Sequence, residues 1–278
     1  MTLLHSHSAK HVQRVLAMLL TVLAMVLNAT AADKSREQVI KIVAQVQRAD
    51  YEGDRAALKR LYADLAPFAQ KKELASRVRY WRGFALWRMA INGFNDKVDP
   101  KELEENLKQA IDEFEASAGL DPDFPDAKIG AASCLGVLAF MHRTDQAQLQ
   151  AYIARIAPLV KAVQASSPEN PRLYWILGPV YWNRPAENGG GPAKAIENYN
   201  QGLDAIRKNK TTAVDPLDPS WGEPELLMSL AWSTLNQPAP DPEAAEKYAN
   251  SALALVPYWH YVRDILLPQI RKAREKPD

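Results

Sequence analysis

The sequence predicts an all-α fold: about five antiparallel helix pairs arranged as a solenoid or a compact bundle, with irregular insertions. Three observations predict it. Apolar residues recur at three- and four-residue spacing through most of the chain, and Val and Ile never fall into the strict alternation that marks a strand. A two-helix unit recurs on a scale of about 34 residues, with a small residue, an aromatic and a closing Pro at similar offsets. Clusters of Pro, Gly, Asn and Asp fall between the periodic stretches, where turns belong.

Residues 1–32 read as a secretory signal peptide. Lys10, His11 and Arg14 precede the apolar run 15–27, which only Thr21 interrupts, and Ala29, Thr30, Ala31 and Ala32 offer small residues for cleavage. That run has 13 residues, and a spanning helix needs about 20. Residues 33–278 are therefore expected to form one helical repeat domain, periplasmic or secreted, with no stable membrane insertion.

The first helix pair reads as 37–50 and 55–69, turned at Gly53 and Asp54. Residues 79–90 open the second pair, whose other helix carries Ala110 and Phe114 and closes at Pro122. The third begins at 127–140. The fourth begins at 174–182 and continues through Ala195, Tyr199 and Gly202, without a closing Pro. The last reads as 224–235 followed by Ala245, Ala249, Ala252 and Pro257. A small residue lets paired helices approach, an aromatic fills the space behind it, and Pro is tolerated where a helix must end. Pro125 and Pro171 are 46 residues apart and Pro171 and Pro224 are 53 apart, both longer than one unit. The excess is expected in insertions at 92–99, near Thr144, at 183–191 and at 207–222.

The most specific stretch is Tyr174, then Leu177-Gly178, then Tyr181. It resembles the first helix of a tetratricopeptide (TPR) repeat. Taken with the Ala–aromatic–Pro positions, the resemblance to that family covers roughly residues 35–270. It implies a superhelix of helix pairs whose first helices line a concave groove. It also implies a protein or peptide partner or, as in some exported members that accompany solute transporters, a small ligand. Gly178 is expected at a helix–helix contact that Leu would overpack and Ala would tolerate.

Composition narrows the function. Lys and Arg total 34 against 33 acidic residues, which lacks the basic footprint of a nucleic-acid binder. Cys134 is the only cysteine, so no intramolecular disulfide forms. Its apolar neighbours make it a buried small hydrophobe rather than a nucleophile. His5, His7 and His11 belong to the signal segment, His142 and His260 stand alone, and no metalloprotease, phosphate-loop or nucleophile-elbow motif is present. No cofactor, metal site or enzymatic activity is expected.

The candidate site residues are aromatic. Of seven tryptophans, Trp81, Trp87, Trp175, Trp182 and Trp232 fall in predicted first helices. Trp175 and Trp182 are seven apart and share a helical face, which the family pattern turns toward the groove. Partner binding is therefore expected of Trp175, Trp182, Arg184, Trp232 and Trp81. The loop with Glu187, Gly189, Gly190 and Gly191 is expected at the groove rim. Ordinary core packing is the competing reading of the tryptophans, and a tight turn is that of the glycines.

Overall fold

A computed structural model describes residues 33–209 and 215–275. The signal-peptide expectation and part of the 207–222 insertion lie outside those residues. The chain divides into two compact units, Met1–Lys41 and Ile42–Asp278. In the first, the described residues 33–41 are helical.

The second unit is helical throughout, with no strand among the described residues. Its helices are α1 (42–52), α2 (Arg55–Asp64), α3 (Ala75–Asn95), α4 (Pro100–Leu120), α5 (Pro125–Met141), α6 (Gln146–Ser166), α7 (Pro171–Asn183), α8 (Pro192–Asn209), α9 (Glu223–Asn236), α10 (Pro242–Leu255) and α11 (Leu267–Arg274). A π-helical turn, Tyr261–Leu266, leads into α11. Consecutive helices pack as hairpins, most extensively α3 on α4, α7 on α8, α9 on α10 and α5 on α6. The first helices α3, α5, α7 and α9 also touch in succession, as in a repeat stack.

Local chemistry sets the helix starts. Asp99 before Pro100, Asn170 before Pro171 and Asp241 before Pro242 each cap a helix, the side chain accepting a backbone N–H from the first turn. Asp54 and Asp145 cap α2 and α6 in the same way. The expected insertions at 92–99 and near Thr144 differ from the structure. Helix α3 continues to Asn95, and the residues expected as excess around 144 lengthen α5 to 17 and α6 to 21 residues. Asp145 capping starts α6 only a few residues after α5 ends, which leaves no long loop to build.

Gly178 sits where expected, between α7 and α8. A Cβ there would lie 2.0 Å from the ring of Tyr199. Ala as well as Leu therefore requires the Tyr199 ring to move, which sets the expected tolerance of Ala against a contact closer than the sequence suggests.

Within this second unit the superhelix closes on itself. Tyr51 of α1 packs edge-on against Trp259 at 5.0 Å, and its hydroxyl donates a hydrogen bond to Glu225 Oε1 of α9 at 2.7 Å. Trp81 of α3 donates its indole N–H to the Leu217 carbonyl at 2.8 Å, and Arg77 pairs with Asp218. Residues 215–222 therefore cross the mouth of α3. Trp221 packs among Phe84, Trp87 and Trp175 and donates to the Tyr80 hydroxyl at 2.8 Å. Every residue of α3 from Tyr80 to Ala90 is buried, the pattern of a central helix covered on all sides. The concave face expected to stand open is filled by its own aromatics.

Candidate functional site

Among the described residues a cleft of about 430 Å³ opens where the end of α3 meets α7, α9 and the turn before α11. Trp175, Trp182, Trp232, Trp259, Tyr199 and Tyr261 supply its aromatic walls. Ile91, Phe94, Pro179 and Met228 add aliphatic and aromatic surface. The polar groups are Asn92, Asn95, Asn183 and Ser229, and Arg88 is the one charged side chain.

Each wall has a local cause. Trp175 and Trp182 stand two turns apart on α7 and so face the same way. Trp175 is braced from behind by Trp87 and Trp221, with ring centroids 5.8 and 5.6 Å away, and its indole N–H donates to the Ser229 hydroxyl at 3.0 Å. Trp182 meets Trp232 of α9 edge-on at 4.9 Å. Trp232 is 37% exposed and Phe94 42% exposed, so these rings form the lip. Burial, eased by the Ser229 bond, pushes the Tyr199 phenol up to about 12; it stays neutral at any physiological pH.

Beneath the aromatic walls lies a buried polar cluster. Arg88 Nε donates to Asp50 Oδ1 at 2.7 Å, and Asn92 Nδ2 donates to the Asp50 carbonyl at 3.1 Å. Glu225 accepts from the Tyr51 hydroxyl and from the Gly222 backbone N–H, each at 2.7 Å. Burial raises the pKa of both Asp50 and Glu225 above the ordinary carboxyl range, against the opposing pull of Arg88 and their hydrogen bonds.

The structure sorts the sequence-predicted residues. Trp175, Trp182 and Trp232 come together in the cleft. Trp81 does not. It is wholly buried, and its N–H is used on Leu217, so it belongs to the core. Arg184 and Glu187 are exposed and do not line the cleft; the Arg184 guanidinium lies over the Tyr181 ring. Gly189, Gly190 and Gly191 do not line it either and form a turn. The N–H groups of Asn188 and Gly190 both go to Pro185, that of Gly189 to Ala186 and that of Gly191 to Tyr181. Gly189 and Gly191 have positive φ, and a Cβ at Gly190 would lie 2.3 Å from the Arg184 carbonyl oxygen. The glycines answer to the backbone path and leave no donors for a ligand.

Sequence reasoning missed Arg88, Asn92, Tyr199, Trp259 and Tyr261 as site residues. Arg88 is one of three arginines in the segment 79–90, with Arg79 and Arg82, so nothing in the sequence singled it out.

Cys134 is buried, and burial alone pushes its thiol well up. Among the described residues no group of three or more His, Cys, Asp or Glu could hold a metal ion, and no helix is long and apolar enough to cross a membrane.

No protein-family model matches the chain, and no curated protein matches it. Among solved structures, the HusA haemophore from Porphyromonas gingivalis superimposes with a TM-score of 0.53 at 19% identity, over 69% of this chain and 90% of that one. A thermophilic TPR protein from Thermus thermophilus matches with a TM-score of 0.44 at 16% identity, over 79% of this chain and 98% of that one. The first likeness places the chain among all-helical proteins of this general fold.

Proposed function

We propose that this chain is a small-molecule-binding protein whose cleft takes a flat, mostly apolar ring system, and that it holds this ligand without transforming it. One observation carries the reading: a 430 Å³ cleft walled by four tryptophans and two tyrosines. Ligand pockets are of order 300–1,000 Å³ and combine apolar walls with a few polar groups that set orientation. Here the polar groups are three amides, a hydroxyl and one guanidinium. The walls hold no carboxylate or imidazole, the usual groups for acid–base work.

A protein or peptide partner fits less well. An extended chain needs a groove open along its length, and Trp81, Trp87 and Trp221 close the centre of the superhelix. The exposed rings of Phe94 and Trp232 at the lip are the part of the cleft such a contact would use.

HusA is a haemophore, which makes a tetrapyrrole the first ring system to try. Export directed by residues 1–32 would place the protein where such a ligand is met outside the cytoplasm. The test is tryptophan-fluorescence titration with metal-free protoporphyrin IX and with pyrene derivatives. Saturable one-to-one quenching supports the reading. Failure of every flat ring to bind, while peptides from a displayed library bind at the lip, replaces it with the peptide reading.

A further inference from the structure

Arg88 is bonded differently from Arg82, which is also buried, and from the half-buried Arg172. Arg172 uses three nitrogens: Nε and Nη2 on Asp126 and Nη1 on the Trp221 carbonyl. Arg82 bonds Glu113 through Nε and the Tyr62 carbonyl through Nη1. Arg88 is just as buried, at 6% exposed, yet it makes a single hydrogen bond, from Nε to Asp50. Its guanidinium lies over the Trp87 ring at 5.4 Å, but its two Nη groups have no hydrogen-bond partner among the described residues, and they are not among the buried atoms sealed from solvent. The side chain lines the cleft.

A guanidinium held rigidly by one edge presents the other edge as a planar pair of donors. That fork matches a carboxylate, which can accept two parallel bonds. Asp50 fixes the orientation: it is 2% exposed and is itself held by Asn92. The rest of the cleft has no second charge to compete for the donors.

Resting on the ring-binding reading above, we propose that the cleft's ligand carries a carboxylate, and that this group docks on the open Nη edge of Arg88 while the ring system lies between Trp175, Trp182 and Trp232. Arg88 then serves as the orienting contact, and the aromatic walls supply most of the contact area. The ligand class is a planar polycyclic or macrocyclic carboxylic acid.

A matched pair of probes tests this: 1-pyrenebutyrate and 1-pyrenebutanol, which share the ring and differ in the terminal group. Energy transfer from protein tryptophan to pyrene reports binding of each. Wild-type protein is expected to bind the acid about tenfold or more tighter than the alcohol, as a hydrogen bond to a charged group implies. The double variant Asp50→Asn/Arg88→Gln, which removes both buried charges together, is expected to bind the two equally and near the alcohol's wild-type affinity. Equal binding of acid and alcohol by wild type overturns the Arg88 assignment and leaves the ring reading standing. No binding of either overturns both. If the double variant fails to fold, the wild-type comparison decides alone.

Discussion

Substituting Gly178 with Ala sets two effects in opposition. Ala is a better helix former than Gly by about 1 kcal/mol, so an uncrowded site would gain stability. Gly178 precedes Pro179, however, and a Cβ at that position is restrained from helical backbone angles, which reduces the gain. Crowding acts the other way. The added Cβ would lie 2.0 Å from Cε1 and Cζ of Tyr199 and 2.2 Å from its hydroxyl oxygen. Non-bonded contact requires about 3.5–4 Å, so the ring must retreat by roughly 1.5 Å. Tyr199 is 5% exposed and packs against Leu226 and Leu230 of α9, so its movement propagates into a second helix. Overpacking of this kind costs about 1–3 kcal/mol. The net expectation is a loss of about 1–2 kcal/mol, and a domain of this size loses about 2–4 °C in Tm for each kcal/mol. Thermal melts followed by circular dichroism measure it. In a Tyr199→Ala background the same substitution should become nearly neutral, because the obstructing ring is gone, and the double-mutant cycle should show coupling of about 1 kcal/mol or more. A Gly178→Ala protein that melts at or above wild type would refute the contact and the repeat register built on it.

Three further outcomes follow from the same geometry. Trp175→Ala should cost about 3 kcal/mol, because its ring is braced by Trp87 and Trp221. Trp182→Ala, whose one aromatic ring partner among the described residues is Trp232, should cost about 1 kcal/mol, and urea melts of the pair separate them. Glu225 has a folded-state pKa raised by burial, so the native state holds its proton more tightly than the unfolded chain. Its contribution to stability is therefore present at low pH and lost as pH rises from the ordinary Glu value of about 4.3 through the folded value. Glu225→Gln cannot titrate, so its stability relative to wild type should improve between pH 4 and pH 7; a relative decline over that range would show the opposite shift. Cys134, fully buried with its thiol pushed up, should react with an aromatic disulfide reagent only as urea unfolds the protein. Rapid stoichiometric labelling in native buffer would contradict that burial.

What the sequence revealed depended on how local the determining contact is. Helices α7 and α8 were legible because Leu177-Gly178 and Ala195, Tyr199 and Gly202 are the contact itself, read off two neighbouring segments. Trp175 and Trp182 were placed on one face because seven residues make two turns. Helix α6 is implied by the pair count but has no bounds in the sequence reading: only Val163 of its 21 residues is buried, so its apolar stripe is too thin to stand out. Trp81 was misassigned because the partner that buries it, Leu217, lies 136 residues away, and no periodicity within α3 records the chain crossing over it. Arg88 depends likewise on Asp50, 38 residues earlier. Trp259 depends on Tyr51 at the opposite end of the stack. Closure of the superhelix creates both the core and the cleft, and closure is a property of the whole stack rather than of any repeat.

The central claim is that the rings at the cleft lip hold the ligand. It is tested most directly by titrating Trp182→Ala and Trp232→Ala with 1-pyrenebutyrate beside the wild type. Trp182 is half-buried and Trp232 exposed, so both variants should keep the wild-type helical content. Removing an aromatic anchor from a binding hot spot costs more than about 2 kcal/mol, and each variant should therefore bind about thirtyfold more weakly. Two folded variants that bind as tightly as wild type would contradict the claim and move the binding site elsewhere on the protein.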